Sequence, residues 1–147
     1  MYTEDFSEVH ELLAHIPADS ATTEQNSGYV SLENHPRAVV VVSVGDLATN
    51  ATFDIDIEQA QDTAGTGAKA LAGKSTTQLT EAGTDSNKVV IIEIRTEELD
   101  VTNGFKCINV EVTPATAAAE FAVLIFGVGG PRYAPVGVTG IEEIIRA

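Results

Sequence analysis

The chain is poor in the residues on which several protein classes depend. It has one cysteine, Cys107, in 147 residues, so no disulfide can form within it and the fold must rest on a hydrophobic core. It has no tryptophan and only 3 tyrosines and 5 phenylalanines, which argues against a small ligand-binding sandwich of the carbohydrate type, whose sites are lined with exposed rings. Positive charge is also scarce. Eight Lys and Arg against 22 Asp and Glu give a net charge of −14. Nucleic-acid binding needs a basic footprint that displaces counterions, and anionic lipid repels the same surface, so neither partner is expected. The longest apolar run, residues 121–126, is far shorter than the ~20 residues that cross a bilayer as a helix. The opening MYTEDFSEVHELL is acidic and lacks the basic-then-apolar order of a secretory signal; synthesis in a reducing cytoplasm is the expectation.

What is present is a folding chain. Hydrophobic residues make up 44% and charged residues 20%, and the length suits one domain. The most informative stretch is EFAVLIFGVGGPRYAPV, residues 120–136. It begins as an unbroken apolar strand, which must be buried on both faces or packed on one and covered on the other. It stops at Gly127, Gly129, Gly130 and Pro131, which break strands. Upstream, residues 28–32, 38–44, 52–58, 88–95 and 105–113 read as strands, with AVVVVSV a core strand. In 52–58, Phe53, Ile55 and Ile57 alternate with Asp54, Asp56 and Glu58, the pattern of a strand with one buried face. The Ala/Gly/Thr-rich middle suggests a helical turn at 68–72 and a short strand near 76–79. Short strands separated by turn residues indicate a mainly β protein, a single antiparallel β-sandwich, jelly-roll- or Ig-like, with a short N-terminal helix and extended termini.

Residues 3–16 read as that helix. Thr3 can cap it, Pro17 ends it, and Phe6, Val9, Leu13 and Ile16 recur at helical spacing. Residues 18–27 read as a polar linker. The expected organisation is therefore a helix and arm over 1–27, the sandwich over 28–136 and a tail over 137–147.

No motif supports catalysis, and no catalytic, cofactor-binding or metal site is expected. In HELLAH, His10 and His15 lie one residue further apart than in H-E-x-x-H, which turns them to different sides of a helix. Asp54, Asp56 and Glu58 share a strand face and invite a cation, but the sharp Gly turn of a calcium loop is missing; alternation alone predicts a solvated outer face or a charge-protected edge. Gly127-x-Gly129 has Arg132 where a dinucleotide fingerprint needs its third glycine. Gly73-Lys74-Ser75 spells the end of a phosphate loop, but Ala68 stands where its first glycine belongs. His35 precedes Pro36 in a turn and shows no evident partner in the sequence.

The stretch GYVSLENHPRAVVVVSVGDL (28–47) together with Gly129, Gly130, Pro131, Arg132, Tyr133, Ala134, Pro135 and Val136 resembles small virion structural proteins of tailed bacteriophages. The resemblance covers residues 28–136, apart from 59–87. It implies a non-enzymatic capsid decoration or cement protein on the outer face of the head, made in the host cytoplasm. Its implied partners are the major capsid protein and further copies of itself. A head–tail connector or tail component is the alternative station. Candidate interface residues are Phe6, Val9 and Leu13 at one end, Arg132 and Tyr133 beyond the last strand, and Ile141, Ile144 and Ile145 in the tail.

Overall fold

A computed structural model of the chain describes residues 5–129 and 141–145. Among the described residues, ten strands form two antiparallel sheets packed face to face. In the first, β1 (Glu11–Ala21), β10 (Ala119–Val128), β4 (Arg37–Leu47) and β8 (Val89–Arg95) lie in that order. In the second, β9 (Cys107–Ala115) and β5 (Thr52–Ala60) form the centre. The short β2 (Gln25–Asn26) and β3 (Val30–Ser31) flank β9, and β6 (Lys69–Ala70) and β7 (Leu79–Thr80) flank β5. Each flanking pair lies along one partner, so each pair acts as one interrupted strand. The resulting orders, β1-β10-β4-β8 and β2/β3-β9-β5-β6/β7, are those of a double-sheet jelly roll. Both sheets are antiparallel throughout.

Period-2 alternation decides which side chains enter the core. Along β4, Val40 and Val42 are fully buried while Val39 and Val41 are only half-buried, although the sequence is an unbroken valine run. On β5, Phe53, Ile55 and Ile57 point inward; from β9 come Ile108, Val110 and Val112, and from β10 Phe121, Val123 and Ile125. The rings of Phe53 and Phe121 meet across the two sheets, 5.1 Å between centroids. Cys107 is buried and free, and burial pushes its thiol pKa up, so it behaves as a small apolar residue.

Two expected elements are corrected. The helix expected over residues 3–16 is one turn, α1 (Phe6–Val9). Glu11–Ala21, which includes half of that helix and part of the presumed linker, is the edge strand β1 paired with β10. Two register shifts, between Leu12 and Ala14 and between Ile16 and Asp19, interrupt its alternation. A bulged edge strand loses strict period 2, and its apolar residues then fall at a spacing that imitates a helix. Pro17 sits inside it, as an edge strand permits. The helical turn expected at 68–72 is instead β6, paired with Glu58 and Gln59.

Candidate functional site

The sandwich presents two unlike outer faces. On the second sheet, Asp54, Asp56 and Glu58 of β5 point outward, with Asp56 directly opposite Glu111 of β9 and Glu58 opposite Asn109. Glu58 Oε2 accepts hydrogen bonds from Tyr29 Oη at 2.5 Å and Asn109 Nδ2 at 3.1 Å. Asn109 Nδ2 also donates to Asn26 Oδ1 at 2.7 Å. This network ties β2 and the turn after it to the centre of the sheet. Gly65, at φ +85°, passes directly under the Tyr29 ring, and a Cβ there would lie 2.8 Å from Cε2. Burial, then the hydrogen bond and charge of Glu58, push the Tyr29 phenol up to about 12. Burial, then Glu24, Glu58 and Asp56, push the Glu111 carboxyl above its ordinary range. Among the described residues, no three His, Cys, Asp or Glu side chains are grouped to hold a metal.

The outer face of the first sheet is apolar. Cross-strand register sets Leu12, Phe126, Val39 and Glu93 in one row, His15, Leu124, Val41 and Ile91 in the next, and Ala122, Ser43 and Val89 beyond them. Val89 and Ile91 are each 62% exposed and Leu124 is 38% exposed. Phe6 extends the patch from α1: its ring meets Phe126 edge-on at 5.6 Å and remains 60% exposed. On the outer side of the apolar strand 121–126, expected from the sequence to be covered on both sides, Phe6 packs on Phe126 while Leu124 stays 38% exposed among the described residues. One end of this face carries charges of both signs, Arg37, Lys74 and Arg95 among Glu93, Glu97 and Glu98. Arg37 stands directly opposite Arg95; Arg95 pairs with the exposed Glu97 at 3.6 Å and its charge also acts on Glu98, and Arg37 forms no ion pair among the described residues. The other end is acidic. Glu120 lies against Gly45, where an added Cβ would come within 2.9 Å of the Glu120 Cβ. A shallow hollow of about 350 Å³ there is lined by Asp19, Ser20, Ser43, Gly45, Glu120 and Ala122, among others.

Both edges of this sheet are blunted. β1 carries Pro17 and its two irregularities. At β8, Lys74 Nζ donates to the Glu93 carbonyl at 2.6 Å and pairs with Glu98 at 3.0 Å. Charge, proline and bulges at an edge prevent another strand from adding.

Of the candidate interface residues, Phe6 lies on the apolar face, and Leu13, inside the β1 irregularity, packs against the core. Val9 is partly exposed, as are Ile141 and Ile144; Ile145 is 87% exposed. Arg132 and Tyr133 lie outside the described residues. Sequence reasoning missed His35, which is fully buried with Nε2 2.9 Å from Glu11 Oε2. Its partner comes from β1, a strand mistaken for helix, so no sequence signal joined the two.

No protein-family model and no curated protein matches the chain. Solved structures similar to it in outline come from virus particles. A chain from infectious bursal disease virus, Gt strain, is 11% identical with a TM-score of 0.45; the match covers 83% of this chain and 35% of that one, so this chain spans about a third of its length. A chain from the naturally occurring empty particles (top component) of cowpea mosaic virus is 9% identical, with a TM-score of 0.43 and 91% and 93% of the two chains covered. A chain from the empty virus-like particle of the same virus is 7% identical, with a TM-score of 0.45 and coverage of 98% and 95%. These likenesses are too distant to say what the chain does, and the jelly-roll assignment rests on the strand order.

Proposed function

We propose that this protein is a non-enzymatic structural component of a virus particle, a decoration or cement protein that binds the outer face of a head and stabilises contacts between its subunits. The observation that carries the reading is the apolar outer face of the first sheet, exposed among the described residues at Phe6, Val89, Ile91 and Leu124. Contiguous exposed apolar surface on a soluble domain marks a place where another surface docks. The opposite face, acidic at Asp54, Asp56, Glu58 and Glu111, suits the solvent side of a particle. With a net charge of −14, the protein is repelled by packaged nucleic acid and suited to the exterior of a shell. The resemblance of residues 28–47 and 129–136 to small tailed-phage virion proteins points the same way.

Mass spectrometry and gel densitometry of purified particles test the reading. The chain should be present in large copy number relative to the major capsid protein, and heads lacking it should open at lower temperature. A few copies per particle would move it to the neck or tail. Absence from particles would overturn the virion reading altogether.

A further inference from the structure

We propose that Asn103 is a latent modification site, at which the side-chain amide is lost by ring closure onto the backbone nitrogen of Gly104, and that Asp100 holds the site shut while the corner around it is folded. The inference is independent of the virion reading, since it concerns the chemistry of one turn and not the partner of any face.

Of the six asparagines in the chain, Asn103 alone precedes a glycine. A glycine nitrogen carries no neighbouring Cβ to obstruct its approach to the side-chain carbonyl, so ring closure is least hindered there. Gly104 N attacks Asn103 Cγ. The N–Cγ bond forms, the Cγ–Nδ2 bond breaks, and the amide leaves as ammonia with the proton that Gly104 N gives up. Water then opens the cyclic imide at one of its two carbonyls. One opening gives aspartate; the other gives isoaspartate, whose backbone runs through the side-chain carbon. Water is the only co-reactant, and nothing is oxidised or reduced.

The fold opposes each part of that step. Asn103 ends a short 3-10 turn, Val101–Asn103, and both it and Gly104 are exposed, so water reaches the site. Asn103 Nδ2 donates to both carboxylate oxygens of Asp100, each at 2.9 Å, which holds the amide over its own turn. The attacking nitrogen is engaged as well, because Gly104 N–H donates to the Val101 carbonyl at 3.1 Å. The Asn103 carbonyl, between the two, accepts from Gln61 Nε2 at 2.8 Å. Asp100 is itself anchored: its N–H donates to Gln59 Oε1 at 2.8 Å, and its carboxylate pairs with Lys69 Nζ at 2.6 Å. Lys69 in turn lies over the ring of the buried Phe105, 4.2 Å from its centroid. Conversion would set a second carboxylate beside Asp100 in place of two donated hydrogen bonds, and like charges that close repel. The modification therefore loosens the corner that had prevented it.

Peptide mapping by mass spectrometry of the full chain, aged in mildly alkaline buffer with and without urea, tests this. The tryptic peptide Thr96–Lys106 reports the site, and chromatographic separation of its aspartyl and isoaspartyl forms reports the route. In urea Asn103 should convert before any other asparagine, with isoaspartate among the products. In the folded chain conversion should be slower by roughly tenfold or more, because chemistry that needs local opening is scaled by the population of the open form. Asp100→Ala should restore most of the lost rate. If circular dichroism shows that this variant does not fold, Gln61→Ala, which frees the Asn103 carbonyl, serves instead. Asp85→Ala removes an acceptor from Thr80 N at the opposite end of β5 and should leave the rate unchanged. Folded wild type converting as fast as the chain in urea, Asp100→Ala and Gln61→Ala converting no faster than wild type, Asp85→Ala matching them, or another asparagine converting first in urea would each overturn the inference.

Discussion

Glu11 at the start of β1 reaches over Gly127 of β10 to place its Oε2 2.9 Å from the Nε2 of the fully buried His35. The contact fastens the turn before β4 to the edge strand, and Gly127 leaves the room for it, since a Cβ there would enter the imidazole ring.

Gly127→Ala should therefore destabilise the fold by about 1–3 kcal/mol, the usual cost of overpacking a filled interior. Glu11→Ala should cost about 1–3 kcal/mol by leaving a buried ring nitrogen without its partner. Urea denaturation monitored by circular dichroism measures both. Wild-type stability in either variant would show that the contact is incidental.

Tyr29 gives a signal at high pH. Its phenol ionises near 12 in the folded state against 10 ordinarily, so the folded protein holds this proton more tightly than the unfolded chain does. The associated stability is complete below pH 10 and is lost as pH rises through 12. Tyr29→Phe should flatten that decline and cost about 1 kcal/mol at neutral pH through loss of the bond to Glu58. Stability measured from pH 8 to 12 in both proteins decides it, and an unchanged slope in the variant would refute the assignment.

Glu111→Gln should have the opposite effect. The Glu111 carboxyl is raised by burial and by neighbouring carboxylates, with Asp56 directly opposite, so its charged form is disfavoured in the fold. Its contribution is best below the ordinary carboxylate range and worsens as pH rises through the raised folded value. The substitution should stabilise the protein at neutral pH by about 0.2–1 kcal/mol, and the gain should shrink on acidification. A destabilised variant at pH 7 would show that Glu111 accepts a bond worth more than the repulsion.

Lys74→Met should remove the donor from the Glu93 carbonyl and leave the β8 edge open. Thermal unfolding should fall by the equivalent of about 1 kcal/mol, and light scattering on prolonged incubation should rise as strands add at the exposed edge. If scattering does not change, Lys74 does not guard that edge.

The sandwich was legible because its central strands carry their period plainly. Phe53, Ile55 and Ile57 against Asp54, Asp56 and Glu58 fixed the two faces of β5, and the valine run of β4 and the apolar run of β10 marked the core strands of the other sheet. β1 was not legible. Its alternation is broken by bulges, and edge pairing is decided by a partner more than a hundred residues away in sequence, which leaves no local trace. The jelly-roll order was equally hidden, since strand neighbours are set by chain crossovers and not by pattern. The apolar outer face shows why a sequence read strand by strand falls short: Val39, Leu124 and Ile91 come from three separate strands and become one surface only through their register.

The last strand of the sandwich to be synthesised is not at the rim of its sheet. β10 lies between β1 and β4, so during translation the first strand waits, with no neighbour to hydrogen-bond, until nearly all of the sandwich has left the ribosome. Such late, long-range closure is intrinsically slow, and it makes completion of the fold an all-or-none event at the end of synthesis. Copies interrupted before residue 119 would lack both the strand and the surface it carries.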